Sequence, residues 1–203
     1  MSKERLTQKG VNQATQYADL IKVFLERNNL NVKNIYCADS SRGIETASII
    51  ADILQAQVLS YSSLKSFSVG NYAGMSESAL KRIDPLFINN LKLYRKGLVN
   101  SYDIIYEGSK ETLQQYEKCV IDTVEGIVTN DERENCKIIV MHRSALTATL
   151  LSFARRFYNY PPNFYGYVQI NLGTLSVIDY SIDEAKFLEV CSNVTVLKNL
   201  KLT

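Results

Sequence analysis

Apolar residues recur along the chain with spacings that predict helices alternating with short strands. Apolar runs over residues 33–38 and 137–142 predict buried strands, and helical patterns follow them over 42–56 and 144–157. Strands that alternate with helices predict an α/β fold in three layers, with a mostly parallel sheet and helices on both faces. An earlier helix follows residues 6–10 and ends at Asn28-Asn29, with apolar side chains at Val11, Ala14, Tyr17, Leu20, Ile21 and Phe24.

The remaining segments predict one domain with a helical insertion. Residues 60–76, rich in Ser, Gly and Tyr, predict a long surface loop, and further strands are predicted over 58–60, 167–171, 174–179 and 186–191. A helix over 112–128 is expected to turn inward Leu113, Tyr116, Cys119, Val120, Thr123 and Ile127. Because no repeat or linker divides the chain, we expect a single domain over 1–203, with a helical insertion or cap at about 77–120 that covers the site.

Composition and charge exclude several classes of function. Hydrophobic residues make up 46% of the chain, enough for a sizeable core, and 23 Lys and Arg nearly balance 21 Asp and Glu. This balance gives no electrostatic reason to bind nucleic acid or an anionic membrane, and the longest apolar runs are too short to span a bilayer. The scattered cysteines form no C-x-x-C pair and no histidine lies close in sequence to pair with them as a zinc ligand, so no metal site is predicted, and we expect no cofactor. We expect a reducing, cytoplasmic location, with Cys37 and Cys136 as buried thiols.

The single histidine of the sequence, His142, lies where a predicted strand ends and a helix begins. The carboxyl ends of strands are where α/β sheets place their ligand chemistry, which makes His142 a candidate catalytic residue. A lone histidine at a strand end can equally be a hydrogen-bonded turn residue. A mechanism that needs two imidazoles is not available to this chain alone.

Arg42 occupies a similar junction after the first predicted strand. Ser40 or Ser41 suits the N-cap of the following helix, which places Arg42 in its first turn. A cation in the first turn opposes the helix dipole, so a nearby anion would explain why an arginine stands there. Arginine suits phosphate because its planar fork donates two hydrogen bonds. The alternative is a solvated helix arginine.

Four segments of the sequence, in order, carry a resemblance to a known family. They are Leu6-Thr7-Gln8-Lys9-Gly10-Val11-Asn12-Gln13-Ala14, Ala38-Asp39-Ser40-Ser41-Arg42-Gly43-Ile44-Glu45-Thr46-Ala47, Leu64-Lys65-Ser66-Phe67-Ser68-Val69-Gly70-Asn71-Tyr72-Ala73-Gly74-Met75 and Val140-Met141-His142-Arg143-Ser144. They resemble the Leu-Thr-x-x-Gly-x-x-Gln-Ala, Ser-x-x-x-Arg-Ala-x-Gln-Thr-Ala, Leu-x-Glu-x-x-x-Gly-x-Trp-x-Gly and Val-Ser-His-Gly-Gly motifs of the histidine phosphatase superfamily, also called phosphoglycerate mutase-like proteins. Each motif alone is weak evidence for the family, whereas four motifs in the family's order are strong evidence.

The resemblance implies a phosphoglycerate mutase-like fold and a phosphate pocket. Arg42 and His142 match the family's pocket, and Arg143, which replaces a glycine, is assigned with them to phosphate binding. The family mechanism forms and hydrolyses a phosphohistidine. Two departures from the family stand against this mechanism here. The family's N-terminal strand, whose Arg-His-Gly carries the nucleophilic histidine, is absent before residue 6. The acid of the glycine-rich loop falls on Ser66, which cannot act as a general acid near neutral pH.

Three functions therefore stay open. The first is a pseudoenzyme that binds a phosphorylated small molecule or a phosphoprotein through the residual pocket. The second is an active phosphomonoesterase or mutase whose nucleophile-bearing strand is missing from this chain, with a carboxylate such as Glu107 replacing the acid. The third is a phosphotransfer that uses His142 itself as nucleophile. In each, loss of an inner strand predicts that the flanking strands pair directly or that a second chain supplies the strand in a homodimer.

Overall fold

The computed structural model of the protein describes residues 5–96, 98–99, 104, 111–130, 135–159, 170, 173–180 and 184–192. The helices are α1 (Gln8–Arg27), α2 (Ser41–Leu54), α3 (Glu77–Ile83), α4 (Pro85–Arg95), α5 (Leu113–Thr129) and α6 (Arg143–Tyr158). The strands are β1 (Asn34–Ala38), β2 (Gln57–Tyr61), β3 (Ile138–Val140), β4 (Leu175–Tyr180) and β5 (Ala185–Ser192). Two short 3-10 turns, Ser62–Leu64 and Gly70–Tyr72, follow β2.

Local capping chemistry fixes where the main helices begin. The Thr7 side chain accepts a hydrogen bond from the Gly10 N–H at 3.2 Å at the start of α1. Thr112 caps α5 in the same way, and the Gln115 side chain returns a hydrogen bond to the Thr112 N–H at 2.8 Å, which completes a capping box. Of the two serines predicted to cap α2, the structure uses Ser40. The predicted helices over 42–56 and 112–128 are confirmed to within two residues, and α1 begins three residues before the predicted start.

The central sheet has the order β2-β1-β3, with all three strands parallel. In the middle strand, Ile35 and Cys37 pack with residues of α1 and α2, whereas Tyr36 and Ala38 pack with residues of α4, α5 and α6. Successive side chains of a strand point to opposite faces, so this alternation places helices on both faces of the sheet. The predicted fold class, a mostly parallel sheet between helical layers, is confirmed.

The strands β4 and β5 pair with each other in a second, antiparallel sheet. Both sheets nevertheless contact the same two helices. On one face, the α1 residues Ile21, Phe24 and Leu25 pack against Ile138 of β3 and against Leu175 and Val177 of β4. On the other face, Phe153 of α6 stacks on Tyr180 of β4, with ring centroids 5.3 Å apart. In the described part of the chain β3 and β4 do not pair, and the direct pairing of strands across a missing one stays a prediction.

The structure corrects several details of the sequence-based description. The segment over 60–76 is more than a surface loop, because Leu64 is fully buried and Tyr72 is 9% exposed. Cys119 is exposed rather than inward, and Cys136 is only partly buried. The buried face of α5 comprises Leu113, Tyr116, Glu117, Val120, Val124 and Ile127.

The predicted insertion at about 77–120 contains α3 and α4. Phe87, Ile88 and Tyr94 of α4 are buried in the same core as residues of α5 and α6. Residues 101–103 and 105–110, with Glu107 among them, and residues 167–169 of a predicted strand lie outside the described residues. Coverage of the site by this segment stays a prediction.

Candidate functional site

Two helix N-termini meet at the carboxyl ends of β1 and β3. Ser40, two residues after β1, is the N-cap of α2, and His142, two residues after β3, is the N-cap of α6. Because β1 and β3 are parallel neighbours, their carboxyl ends lie at the same edge of the sheet. The Ser40 Oγ is 2.9 Å from the His142 Nε2. Two residues 102 positions apart in the sequence are thereby in hydrogen-bond contact.

The Ser40 hydroxyl is held in place from its own helix. It accepts a hydrogen bond from the Gly43 N–H at 3.2 Å, and the Ser40 N–H donates to the Ala38 carbonyl at 2.7 Å. Gly43 makes this tight turn possible, because a Cβ added there would lie 2.5 Å from the Ala38 carbonyl oxygen and 2.9 Å from the Ser40 Oγ. The glycine therefore leaves room for the serine that faces His142.

His142 is fixed through its backbone and kept neutral by its surroundings. Its N–H donates to the Leu64 carbonyl at 3.3 Å, and its own carbonyl accepts from the Leu146 N–H at 2.9 Å. Partial burial lowers the pKa of the imidazole from the usual 6.5, and the positive charges of Arg42 and Lys65 lower that pKa further. The neutral ring can accept a proton at one nitrogen, as a general base must.

Lys65 is a second cation of this region, and its proximity to His142 was not predicted from the sequence. Its ammonium group lies 2.9 Å from the Asp39 carboxylate, and both side chains are roughly half exposed, at 43% and 50%. An exposed pair of this kind contributes little stability. The Asp39 carboxylate offsets part of the Lys65 charge, so Arg42 and the two helix N-termini are the main groups near His142 that favour an anion.

A buried tyrosine supports the loop that carries Lys65. The Tyr116 hydroxyl donates to the Lys65 carbonyl at 2.7 Å and lies 2.9 Å from the Ser144 Oγ, which accepts from the Phe67 N–H at 3.2 Å. Burial raises the pKa of Tyr116 to about 12, against the opposing effect of its hydrogen bond with Ser144. The hydroxyl therefore stays protonated and ties the loop after β2 to α5 and α6.

Among the predicted site residues, the structure shows an interaction between Arg42 and His142. Arg42 lies close enough to His142 for its charge to lower the pKa of the imidazole. Arg143 is the first residue of α6, with an exposed side chain, and its phosphate-binding role stays a prediction. Ser66 is exposed beside Lys65 and offers a hydroxyl where the family has an acid.

The described ranges contain neither a metal-binding cluster nor a membrane-spanning helix. Among these residues, no group of three or more His, Cys, Asp and Glu side chains is arranged to hold a metal ion. Within the same ranges, every helix is too short or too polar to cross a bilayer.

Comparison with known proteins agrees with this architecture, an open α/β sheet whose candidate site lies at the carboxyl ends of parallel strands. The chain belongs to the histidine phosphatase superfamily (branch 1), whose family model matches residues 3–193. Comparison with curated proteins finds no match.

Three solved structures illustrate the likeness in fold. Mycobacterial glucosyl-3-phosphoglycerate phosphatase in complex with inorganic phosphate has a TM-score of 0.74 at 12% identity, over 95% of this chain and 90% of that one. The α-ribazole phosphatase of Shigella flexneri has a TM-score of 0.71 at 19% identity, over 92% and 84%. A phosphoserine phosphatase mutant of Entamoeba histolytica in complex with phosphoserine has a TM-score of 0.69 at 17% identity, over 94% and 86%. At these identities the likeness establishes the fold alone.

Proposed function

We propose that this chain binds a phosphate monoester at the edge where β1 and β3 end, and does not hydrolyse it by the family's phosphohistidine route. The observation that carries the proposal is the position of His142, 2.9 Å from the Ser40 Oγ and close enough to Arg42 for its charge to lower the pKa of the imidazole, where two helix N-termini meet. Backbone N–H groups at a helix N-terminus and an arginine fork are the groups that proteins use most readily to hold phosphate.

The inactive part of the proposal rests on what the side chains of this chain can supply. A phosphohistidine route that uses one imidazole as nucleophile and another in the pocket needs two histidines, and His142 is the only one among the 203 residues. In the loop after β2, Ser66 replaces the carboxylic acid that would protonate the leaving group. Residues of such a mechanism act as a unit, so the loss of one member removes most of the rate.

The ligand class follows from the chemistry of the pocket and from the fold relatives. A dianionic phosphate pairs favourably with a cation and with helix N-termini. Two of the fold relatives were solved with inorganic phosphate and with phosphoserine. We propose a phosphorylated small molecule or a phosphoprotein as ligand. Cys37, Cys119 and Cys136 are free thiols, which suits a reducing, cytoplasmic location.

A second candidate function is an active phosphomonoesterase. One edge of β3 is unpaired with any other described strand, and β3 leads directly to His142. A strand that pairs there and carries a second imidazole would bring it to the pocket. Adding a family-type Arg-His-Gly strand before residue 6 tests this possibility: increased stability together with phosphatase activity would favour the second candidate.

Thermal unfolding in increasing phosphate tests the binding proposal. At about 100 times its dissociation constant, a ligand adds about 2.7 kcal/mol, or roughly 5–10 °C in the Tm of a domain of this size. Arg42→Ala should remove most of that shift. Arg27→Ala is the matched control, because it deletes the same charge at the end of α1, on the side where β1 begins. If Arg42→Ala leaves the shift unchanged, the pocket assignment is wrong.

A turnover assay tests the proposal that this chain does not hydrolyse phosphate esters. Incubation with p-nitrophenyl phosphate and a panel of sugar phosphates should give no continuing release of product. Sustained turnover that disappears in His142→Ala would contradict the proposal and would make His142 a catalytic residue of a hydrolase.

A further inference from the structure

We propose that Ser40 is a nucleophile activated by His142, and that the pair accepts one phosphoryl group from an activated phosphate donor onto the Ser40 Oγ. The inference rests on the proposed phosphate pocket. It goes beyond that pocket because it assigns covalent chemistry to a serine whose evident role is to cap a helix.

The hydrogen bonds of Ser40 allow its hydroxyl proton to point at the His142 Nε2. The Ser40 Oγ already accepts from the Gly43 N–H, so one lone pair is engaged by the helix. With the proton of the neutral imidazole on Nδ1, the Nε2 accepts the hydroxyl proton across 2.9 Å. A hydroxyl within about 2.6–3.2 Å of a base is the geometry expected of an activated nucleophile.

The surroundings favour both halves of the pair. His142 is neutral near pH 7, because burial and the charges of Arg42 and Lys65 disfavour the imidazolium. The developing alkoxide of Ser40 lies at the N-terminus of α2, where the Gly43 N–H points at it. The same cations that disfavour a charged His142 attract the phosphate of the donor.

The reaction balances as a displacement at phosphorus. The Ser40 Oγ forms a bond to phosphorus while the bond from phosphorus to the leaving oxygen breaks, and the hydroxyl proton passes to the His142 Nε2. The leaving oxygen departs with the bonding electron pair on the side opposite Ser40, since the two oxygens are in line. His142 is therefore on the wrong side to protonate the leaving group. The suitable donor is an aryl phosphate or an acyl phosphate, whose leaving group departs as an anion.

The same in-line requirement predicts that the reaction stops after one transfer. Water that hydrolyses phosphoserine must attack from the side opposite Ser40, away from His142. The phosphoserine formed on α2 should therefore accumulate to one phosphoryl group per chain. This outcome separates the proposal from continuing phosphatase turnover.

The test uses p-nitrophenyl phosphate with the full chain. We expect a burst of up to one equivalent of p-nitrophenolate, and peptide mapping by mass spectrometry should place the phosphoryl group on Ser40. Ser40→Asn keeps a side-chain oxygen that caps α2 but has no hydroxyl, so it should fold and form no adduct. His142→Gln should slow labelling about 100-fold or more, as loss of a general base does. Ser41→Ala, at the next position, is the matched control and should label like the native chain.

Each outcome decides between the proposals. An adduct that forms in Ser40→Asn, or an unmodified native chain after prolonged incubation, would overturn the role of Ser40. Labelling at the native rate in His142→Gln would overturn the role of His142 as base. In either case the phosphate-dependent rise in the Tm of the native chain reports separately on the proposed function, because loss of that rise contradicts binding itself.

Discussion

Replacing Gly43 with alanine should destabilise the protein, although alanine is normally the better residue within a helix. A Cβ at position 43 would lie 2.5 Å from the Ala38 carbonyl oxygen, 2.9 Å from the Ser40 Oγ and 3.2 Å from the Ala38 Cβ. Ala38 ends the central strand of the sheet and is fully buried, so its backbone has little room to move away. The main relief available is displacement of the Ser40 side chain from the N-cap of α2.

The expected size follows from three contributions. Alanine gains up to about 1 kcal/mol in helix propensity over glycine. Overpacking costs typically about 1–3 kcal/mol, and loss of a serine cap costs about 1 kcal/mol more. The free energy of unfolding should therefore fall by about 1–3 kcal/mol, which corresponds to a drop of roughly 2–12 °C in Tm for a domain of this size.

Circular dichroism during heating and urea titration would measure the change. Gly126→Ala is the matched control, because Gly126 is exposed within α5 and a Cβ there would meet nothing within 4 Å. That variant should be more stable by up to about 1 kcal/mol. The steric reasoning is refuted if Gly43→Ala is as stable as the native chain, or if both variants change in the same direction.

Three further predictions concern other parts of the molecule. Burial and nearby cations lower the pKa of His142 in the folded protein, so the unfolded chain takes up a proton first as the pH falls through about 6.5. The free energy of unfolding should therefore decline below that pH, and His142→Gln should reduce the decline. Tyr116→Phe removes the hydroxyl shared by Ser144 and the Lys65 carbonyl and should cost about 1–2 kcal/mol in urea unfolding, more than twice the effect of Tyr61→Phe in the same core. Sedimentation equilibrium should detect a homodimer if a second chain pairs with the free edge of β3, and monomers at every concentration would contradict that expectation.

The features that the sequence predicted best are those with local causes. The apolar run of β1 and a serine cap at residue 40 or 41 need only their neighbours to act, so both were predicted from the sequence. The proximity of Arg42 and His142 was also predictable, since both follow strands whose carboxyl ends share an edge. The 2.9 Å contact of Ser40 with His142 was not predictable, because it depends on the parallel register that pairs Tyr36 with Ile139.

Features that depend on distant packing were missed. Lys65 lies in a segment without periodic apolar spacing, and its position near His142 depends on the burial of Leu64 and on the Tyr116 hydroxyl from α5. On α5, Cys119 was placed inward by a three- and four-residue spacing that Glu117 and Val124 satisfy instead. A glutamate adds nothing to the apolar pattern from which a buried helix face is predicted. Glu117 accepts a hydrogen bond from the Tyr94 hydroxyl, and this bond joins two helices that are separated in sequence.

The division into two sheets has a consequence for how the molecule opens. Amides of β1 are protected by ladders on both sides and by helices on both faces, so they should exchange with deuterium only on global unfolding. The pair β4–β5 is linked to that centre through side chains of α1 and α6, and through the hydrogen bond from the Tyr17 hydroxyl to the Gly173 carbonyl. Side-chain packing can be lost without breaking the central ladders. Native-state hydrogen exchange should therefore divide the protein into two cooperative units, with β4 and β5 released first while β1 and its neighbours remain folded.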